Sequence, residues 1–226
     1  MMLAIISKFV LLCKLTNMKI MKTLIKTLLL CTLLCTLFSS CGHEYVDLGL
    51  PSGIKWATCN VGANSPEEFG GYYAWGETEE KEDYSWETYK WCNGNKESFT
   101  KYCTNRYCGT VDNKTVLDPE DDVAHVKWGG DWRMPTTEEQ EELINNCTWE
   151  RTALNGVNGY RVTGPNGNSI FLPVLLDYNI DTWYWSSSLC TRYPIEAWAL
   201  YIEGDCYDWR EYSRFSGILF VRPVCE

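Results

Sequence analysis

"MPTTEEQEELINNC", residues 134–147, is the stretch that decides what kind of fold this chain can adopt. Pro135 precedes Thr136, whose hydroxyl can accept from the first helical turn, and Glu139, three positions on, supplies the reciprocal acceptor of a capping box. Leu143, Ile144 and Cys147 form a modest apolar face and Asn145-Asn146 loosen the end, so the spacing predicts a helix over 137–146. The period then changes. "GYRVTGPNGNSIFLP", residues 159–173, reads as a hairpin, with Pro165-Asn166-Gly167 turning between Tyr160 to Thr163 and Ser169 to Leu172.

Outward from this pair, "LDPEDDVAHVKWGG" at 117–130 predicts a shorter helix. Asp118 would cap it, Pro119 would take the first helical position, Glu120, Asp121 and Asp122 would face the positive end of the dipole, and Gly129-Gly130 would end it. Alternating apolar residues mark three strands: Ile54, Trp56 and Thr58; Trp198, Leu200 and Ile202; and Ile218, Phe220 and Val224, where Pro223 implies an edge or bulge. Short strands, two short helices and recurrent Gly, Asn, Asp and Ser clusters give an α+β domain with small antiparallel sheets and long ordered loops.

The N-terminus has another character. Lys19, Lys22 and Lys26 precede an apolar run from Leu28 to Phe38 and then Ser39-Ser40-Cys41, the pattern of an export signal too short to span a bilayer. Phe-Ser-Ser-Cys resembles the lipobox of bacterial lipoproteins, which would make Cys41 the acylated first mature residue; a plain secretory signal is the alternative. Residues 1–17 read as a mis-called start, 42–44 as a short linker and 45–226 as one domain. Losing the leader removes five lysines and no acid, leaving fifteen basic residues against 30 acidic ones. Such a body repels phosphate backbones, which argues against a nucleic-acid partner and leaves lipid as the sole membrane attachment.

Eight cysteines follow the leader, so an oxidising compartment would permit disulfides. There is no CxxC pair, and only His43 and His125 could add imidazole, so zinc is poorly supported. The acidic runs at 76–83 and 118–122 lack the alternation of a calcium loop and read as solvated faces or helix-dipole complements. No metal and no cofactor is expected. Ser186, Ser187 and Ser188 lie outside any G-x-S-x-G elbow and read as hydroxyls satisfying backbone groups, so no enzyme is expected either.

"EGDCYDWREYSRFSG", residues 203–217, fits neither periodicity. Its aromatics alternate with charges between Gly204 and Gly217, as in a recognition loop where stiff aromatic side chains supply contact area. Trp185 and Trp198 read as core. Arg192, Tyr193, Asp205, Tyr207, Asp208, Trp209, Arg210, Tyr212 and Arg214 are the expected ligand-binding residues, with Phe215 also at the surface and a glycan or a surface protein as ligand.

"YVDLGLPSGIKWATCNVGA" at 45–63, "GGYYAWGE" at 70–77, "WGGDWRMPTTEE" at 128–139, "NGYRVTGPNGNSIFLP" at 158–173, "YWSSS" at 184–188 and "FVRPVC" at 220–225 together resemble the Fibrobacter succinogenes major paralogous domain family. The resemblance spans residues 45–226, departing at Arg151 and at Val174-Leu175-Leu176-Asp177. It implies a C-type-lectin-like fold in an outer-membrane lipoprotein exposed at the cell surface. Its adjacent first and last strands would bring Cys59 and Cys225 together as a disulfide. The implied function is a non-catalytic, adhesin-like binding module. An envelope-assembly lipoprotein is the alternative, as is a retroelement-diversified binder varying at Arg192, Tyr193, Asp205, Tyr207, Asp208, Arg210, Tyr212, Ser213 and Ser216.

Overall fold

The computed structural model describes residues 43–175, 181–204, 206–217 and 219–226. The leader with Cys41 lies outside the described residues, as do Leu176, Asp177, Asp205 and Ile218. Among the described residues, no helix is long and apolar enough to cross a membrane.

The domain is α+β, with three antiparallel three-stranded sheets among the described residues. The first sheet joins β1 (Tyr45–Asp47) and β2 (Lys55–Ala57) to the last strand, β9 (Val224–Cys225), in the order β1-β2-β9. The second orders β3 (Thr148–Leu154), β4 (Val157–Thr163) and β5 (Ser169–Pro173); the third orders β6 (Thr182–Leu189), β7 (Glu196–Glu203) and β8 (Cys206–Ser213). The hairpin read at 159–173 is β4–β5, and its turn is closed by Gly167 N–H donating to Gly164 O at 3.0 Å. β3 is an addition, joined to β4 through Asn155-Gly156, whose φ values of 49° and 85° suit a tight two-residue hairpin turn.

The longer helix, α2 (Thr137–Asn146), has its capping box formed between Thr136 and Glu139. Glu139 is also clamped by Arg133 through two contacts of 2.8 and 2.6 Å, so one carboxylate fixes both the helix start and the chain leading into it. The shorter helix differs from its reading. Pro119–Asp121 is a single 3-10 turn, Asp118 makes no side-chain cap, and α1 (Val123–Trp128) starts behind Asp122, whose carboxylate accepts from Ala124 and His125 N–H. Asp118 is drawn instead toward Lys101 and Lys114. Gly129, at φ 70°, ends α1 as expected.

The third sheet lies between two apolar clusters, which is why β6 is buried along its whole length. One face of β6–β7 gives Trp183, Trp185, Ala197, Ala199 and Tyr201 to a core shared with Trp75, Tyr102 and Leu219. The other gives Tyr184, Leu200 and Ile202 to a core shared with Trp56, Leu143, Tyr160 and Phe220. The long connection from β2 to α1 has no strand of its own and is pinned by aromatic polar tips. Trp75 Nε1 donates to Ser186 O, Trp91 Nε1 to Gly76 O and Tyr89 OH to Trp75 O, at 2.9, 2.7 and 2.7 Å.

Arg222, 1 % exposed, has no ion-pair partner among the described residues. Its guanidinium donates to Asn60 Oδ1 and to the carbonyls of Ala57, Thr58 and Phe171 at 2.7–3.0 Å, tying the C-terminal segment to the exit of β2 and to β5. Burial pushes its pKa down to about 10. The expected Cys59–Cys225 bridge is absent, and both thiols are free. The last strand does lie beside β2, but the register sets Cys225 against Lys55, four residues before Cys59. β2 ends at Ala57 and the chain bends at Thr58 and Cys59, so Cys59 lies past the end of the ladder that holds Cys225. Cys59 Sγ faces Ala63 O instead, at 3.6 Å.

Replacing Arg222 by Lys, which keeps the charge but loses the planar fork, is expected to destabilise the fold by about 3–5 kcal/mol in urea titrations. Replacing Cys59 by Ser should leave the unfolding free energy within about 1 kcal/mol under oxidising and reducing conditions alike.

Candidate functional site at the edge of the third sheet

Residues 206–213 form a strand and not the loop expected from the sequence. β8 is the outer strand of its sheet, paired to β7 from Glu196↔Ser213 to Glu203↔Cys206. Directly opposed residues share a face, so Tyr207, Trp209 and Glu211 lie with Ile202, Leu200 and Trp198, and Asp208, Arg210 and Tyr212 lie with Tyr201, Ala199 and Ala197. Because the strand borders two cores, aromatics and charges occur on both faces, and this hid its period.

The eight expected binding residues that are described, all but Asp205, therefore do not make one surface. Tyr207 stacks on Trp149 at 4.5 Å and 12°, and Tyr212 packs on Trp183 at 4.5 Å on the opposite side. The Arg210 guanidinium covers the Tyr201 ring at 3.9 Å, and Asp208 accepts from the N–H of Trp209 at 2.8 Å. Arg192 and Tyr193 pair with each other at 5.3 Å, exposed on the β6–β7 connection. Arg214 corrects the reading most sharply, being 0 % exposed. It donates to Tyr89 OH and to the carbonyls of Tyr102, Pro194 and Lys101, with its guanidinium 4.3 Å from the Phe99 ring centre. Phe215 likewise turns inward, onto Trp86 at 4.5 Å. Such residues are structural.

Trp209 remains, 38 % exposed, with its ring 4.8 Å from that of Trp198. Trp198, read as core, is only half-buried. The cause lies in β6: Trp185 pairs with Ala199 and Leu189 with Ala197, so Ser186, Ser187 and Ser188 bulge opposite Trp198 alone. The bulge turns its backbone to other partners, Ser187 N–H reaching Pro135 O at 2.7 Å and Ser187 O accepting from Leu117 N–H at 3.0 Å. The serine hydroxyls serve the backbone as expected, Ser186 Oγ donating to Trp198 O at 2.9 Å and Ser187 Oγ to Pro135 O at 3.3 Å.

Bulge, α2 and the two indoles enclose an open groove of about 340 Å³. Trp198 and Trp209 form one wall, Glu138 and Glu141 of α2 stand on another, and Thr115, Thr137, Ser188 and Thr191 contribute hydroxyls. Neither carboxylate has a hydrogen-bond or ion-pair partner among the described residues. Glu196, at the start of β7, has its pKa raised by burial and by nearby Glu211. The groove thus offers aromatic faces, hydroxyls and acceptor oxygens, with no cation among its lining residues.

A second cavity, of about 360 Å³, brings Ser187, His125 and Asp122 to one wall. Their polar atoms are already committed. Ser187 Oγ faces Pro135 O, His125 Nδ1 lies 3.2 Å from Trp132 O, and Asp122 accepts from the N–H groups of Ala124, His125 and Met134. The carboxylates of Asp118, Glu120 and Asp121 are the one close acidic group among the described residues. Lys101 Nζ stands among them, at 2.6, 3.5 and 2.5 Å. Burial works to raise the pKa of Asp121, but hydrogen bonds from Lys101, Tyr102 and Lys90 hold it below the ordinary value.

A carboxylate depressed in this way gives stability above its unfolded pKa and loses it as pH falls through the folded value. Asp121→Asn, at a site 2 % exposed, is expected to cost about 1.5–3 kcal/mol at neutral pH. It should also flatten the stability loss between about pH 4 and pH 2, read by urea titration at each pH. Arg214→Ala should lower stability by several kcal/mol and Arg210→Ala by about 1 or less, measured the same way.

Compared with known proteins, the chain matches no family model, no curated protein and no solved structure.

Proposed function

We propose that this protein is a non-catalytic binding module that holds a neutral glycan in the groove between α2 and the outer edge of the third sheet. The single observation that carries this reading is the Trp198–Trp209 pair, placed opposite two unpartnered carboxylates and bordered by hydroxyls. An indole face covers the C–H face of a pyranose, and carboxylate and hydroxyl oxygens accept from and donate to its rim of hydroxyls. The carboxylates also disfavour an anionic sugar, because bringing like charges together in a half-dry groove is costly. Two rigid aromatics with few rotatable bonds keep the entropic cost of contact low.

The sequence resemblance supplies the wider frame for this proposal: a C-type-lectin-like domain carried at the bacterial cell surface by a lipid on Cys41. A protein ligand at the same edge is the second reading, supported by the exposure of Asp208, Arg210 and Glu211 along β8.

The purified protein on an array of neutral and acidic glycans is expected to retain a neutral subset. Trp209→Ala and Trp198→Ala should each weaken that binding about tenfold or more while the thermal midpoint stays near that of the parent. Retention undiminished in both variants, or no retention by the folded protein, would overturn the glycan reading.

A further inference from the structure

The outer edge of β8 carries a self-complementary pattern, and we propose that it pairs antiparallel with the β8 edge of a second copy of this chain, centred on Trp209. This inference is independent of the groove's ligand. It starts from the backbone. Arg214 N–H donates to Ile195 O one step beyond the Glu196↔Ser213 pair, so by antiparallel alternation Tyr212, Arg210 and Asp208 turn their N–H and C=O toward β7. Tyr207, Trp209 and Glu211 turn theirs outward. The N–H of Trp209 agrees with that parity, being met by the Asp208 side chain at 2.8 Å. Cys206, Asp208, Trp209, Arg210 and Glu211 are all exposed, and no proline interrupts the strand.

The same parity restricts how two such edges can join. Outward residues must oppose outward residues, so neighbouring registers differ by steps of two. Centring the pair on Asp208 sets that carboxylate against its own copy, and centring it on Arg210 opposes two guanidinium groups; like charges directly opposed are destabilising. Centring it on Trp209 sets Asp208 against Arg210 of the second copy, twice over by symmetry, with Tyr207 opposite Glu211. Larger shifts shorten the ladder. Charges along an edge ordinarily deter pairing; this order, Asp-Trp-Arg about a central residue, converts them into partners for one register alone. The Asp208 carboxylate would release the Trp209 N–H to the ladder as it turned to Arg210 across the interface. A two-fold axis through Trp209 closes the assembly as an isologous dimer with one continuous six-stranded sheet. Trp198 and Trp209 of each copy would then lie side by side across the axis, on the groove face.

Sedimentation of the purified protein without glycan, in reductant so that exposed Cys206 cannot cross-link, tests the proposal. A reversible monomer–dimer equilibrium is expected, weakening as salt rises. Asp208→Arg and Arg210→Asp should each raise the dimer Kd about tenfold or more, and the double exchange D208R/R210D should restore it. Unchanged thermal midpoints would separate this from misfolding. A protein monomeric at every concentration, a dimer indifferent to either reversal, or a double exchange no better than the single changes would each overturn the proposed register.

Discussion

A guanidinium without a counter-ion organises this molecule. Arg222 is buried one residue before Pro223, and the carbonyls it collects come from Ala57 and Thr58 near the start of the domain and from Phe171 in its middle. None of those oxygens has a strand partner suited to that position, and the guanidinium would be insupportable there without them. Each group is tolerable only because the other is present, so the geometry of the whole junction is fixed jointly. Arg214 repeats the device eight residues earlier, collecting Lys101, Tyr102 and Pro194 carbonyls within a cage of aromatic rings. Two buried cations thus join segments that do not pair with one another in a sheet, Arg222 linking β2 and β5 and Arg214 linking two loops.

The groove is a by-product of the same economy. A strand covered on both faces leaves no room for recognition, and β6 is such a strand. Three serines that bulge away from β7 release it locally, and the backbone they free is taken up by Pro135 and Leu117. Trp198, left opposite a strand that has turned aside, loses half its cover and gains Trp209 as a neighbour. The helix that supplies the carboxylates is anchored to β6 through Thr137 N–H to Ser188 Oγ in the bulge at 3.2 Å and Gln140 Nε2 to Tyr184 O ahead of it at 3.0 Å. Aromatic wall and acidic wall are therefore held by one hydrogen-bonded unit.

Local signals were readable wherever local chemistry decides the outcome. The Thr136–Glu139 capping box and the Pro165-Asn166-Gly167 turn lie in the sequence as they lie in the fold, because each is completed within a few residues. The Asn155-Gly156 turn was equally local and would have revealed β3. What the sequence hid depends on distant partners. Arg214 looked exposed because its neighbours are charged, and nothing local announces that Tyr89, Tyr102 and Pro194 converge on it. β8 looked aperiodic because a margin between two cores imposes a different rule on each face. The first and last strands do meet, but Cys59 lies beyond the end of β2, and neither register nor strand length can be read from adjacency alone.

The first sheet couples the ends of the domain: Lys55–Ala57 finds its partner in Val224–Cys225, about 170 residues away. Contacts of such sequence separation form late, since a long loop must close before they return any free energy. On a ribosome that partner strand is made about 170 residues after β2, so the β2 edge that receives it stays open until then. The first sheet is in this sense a clasp on the domain, fastened only when Val224–Cys225 reaches β2.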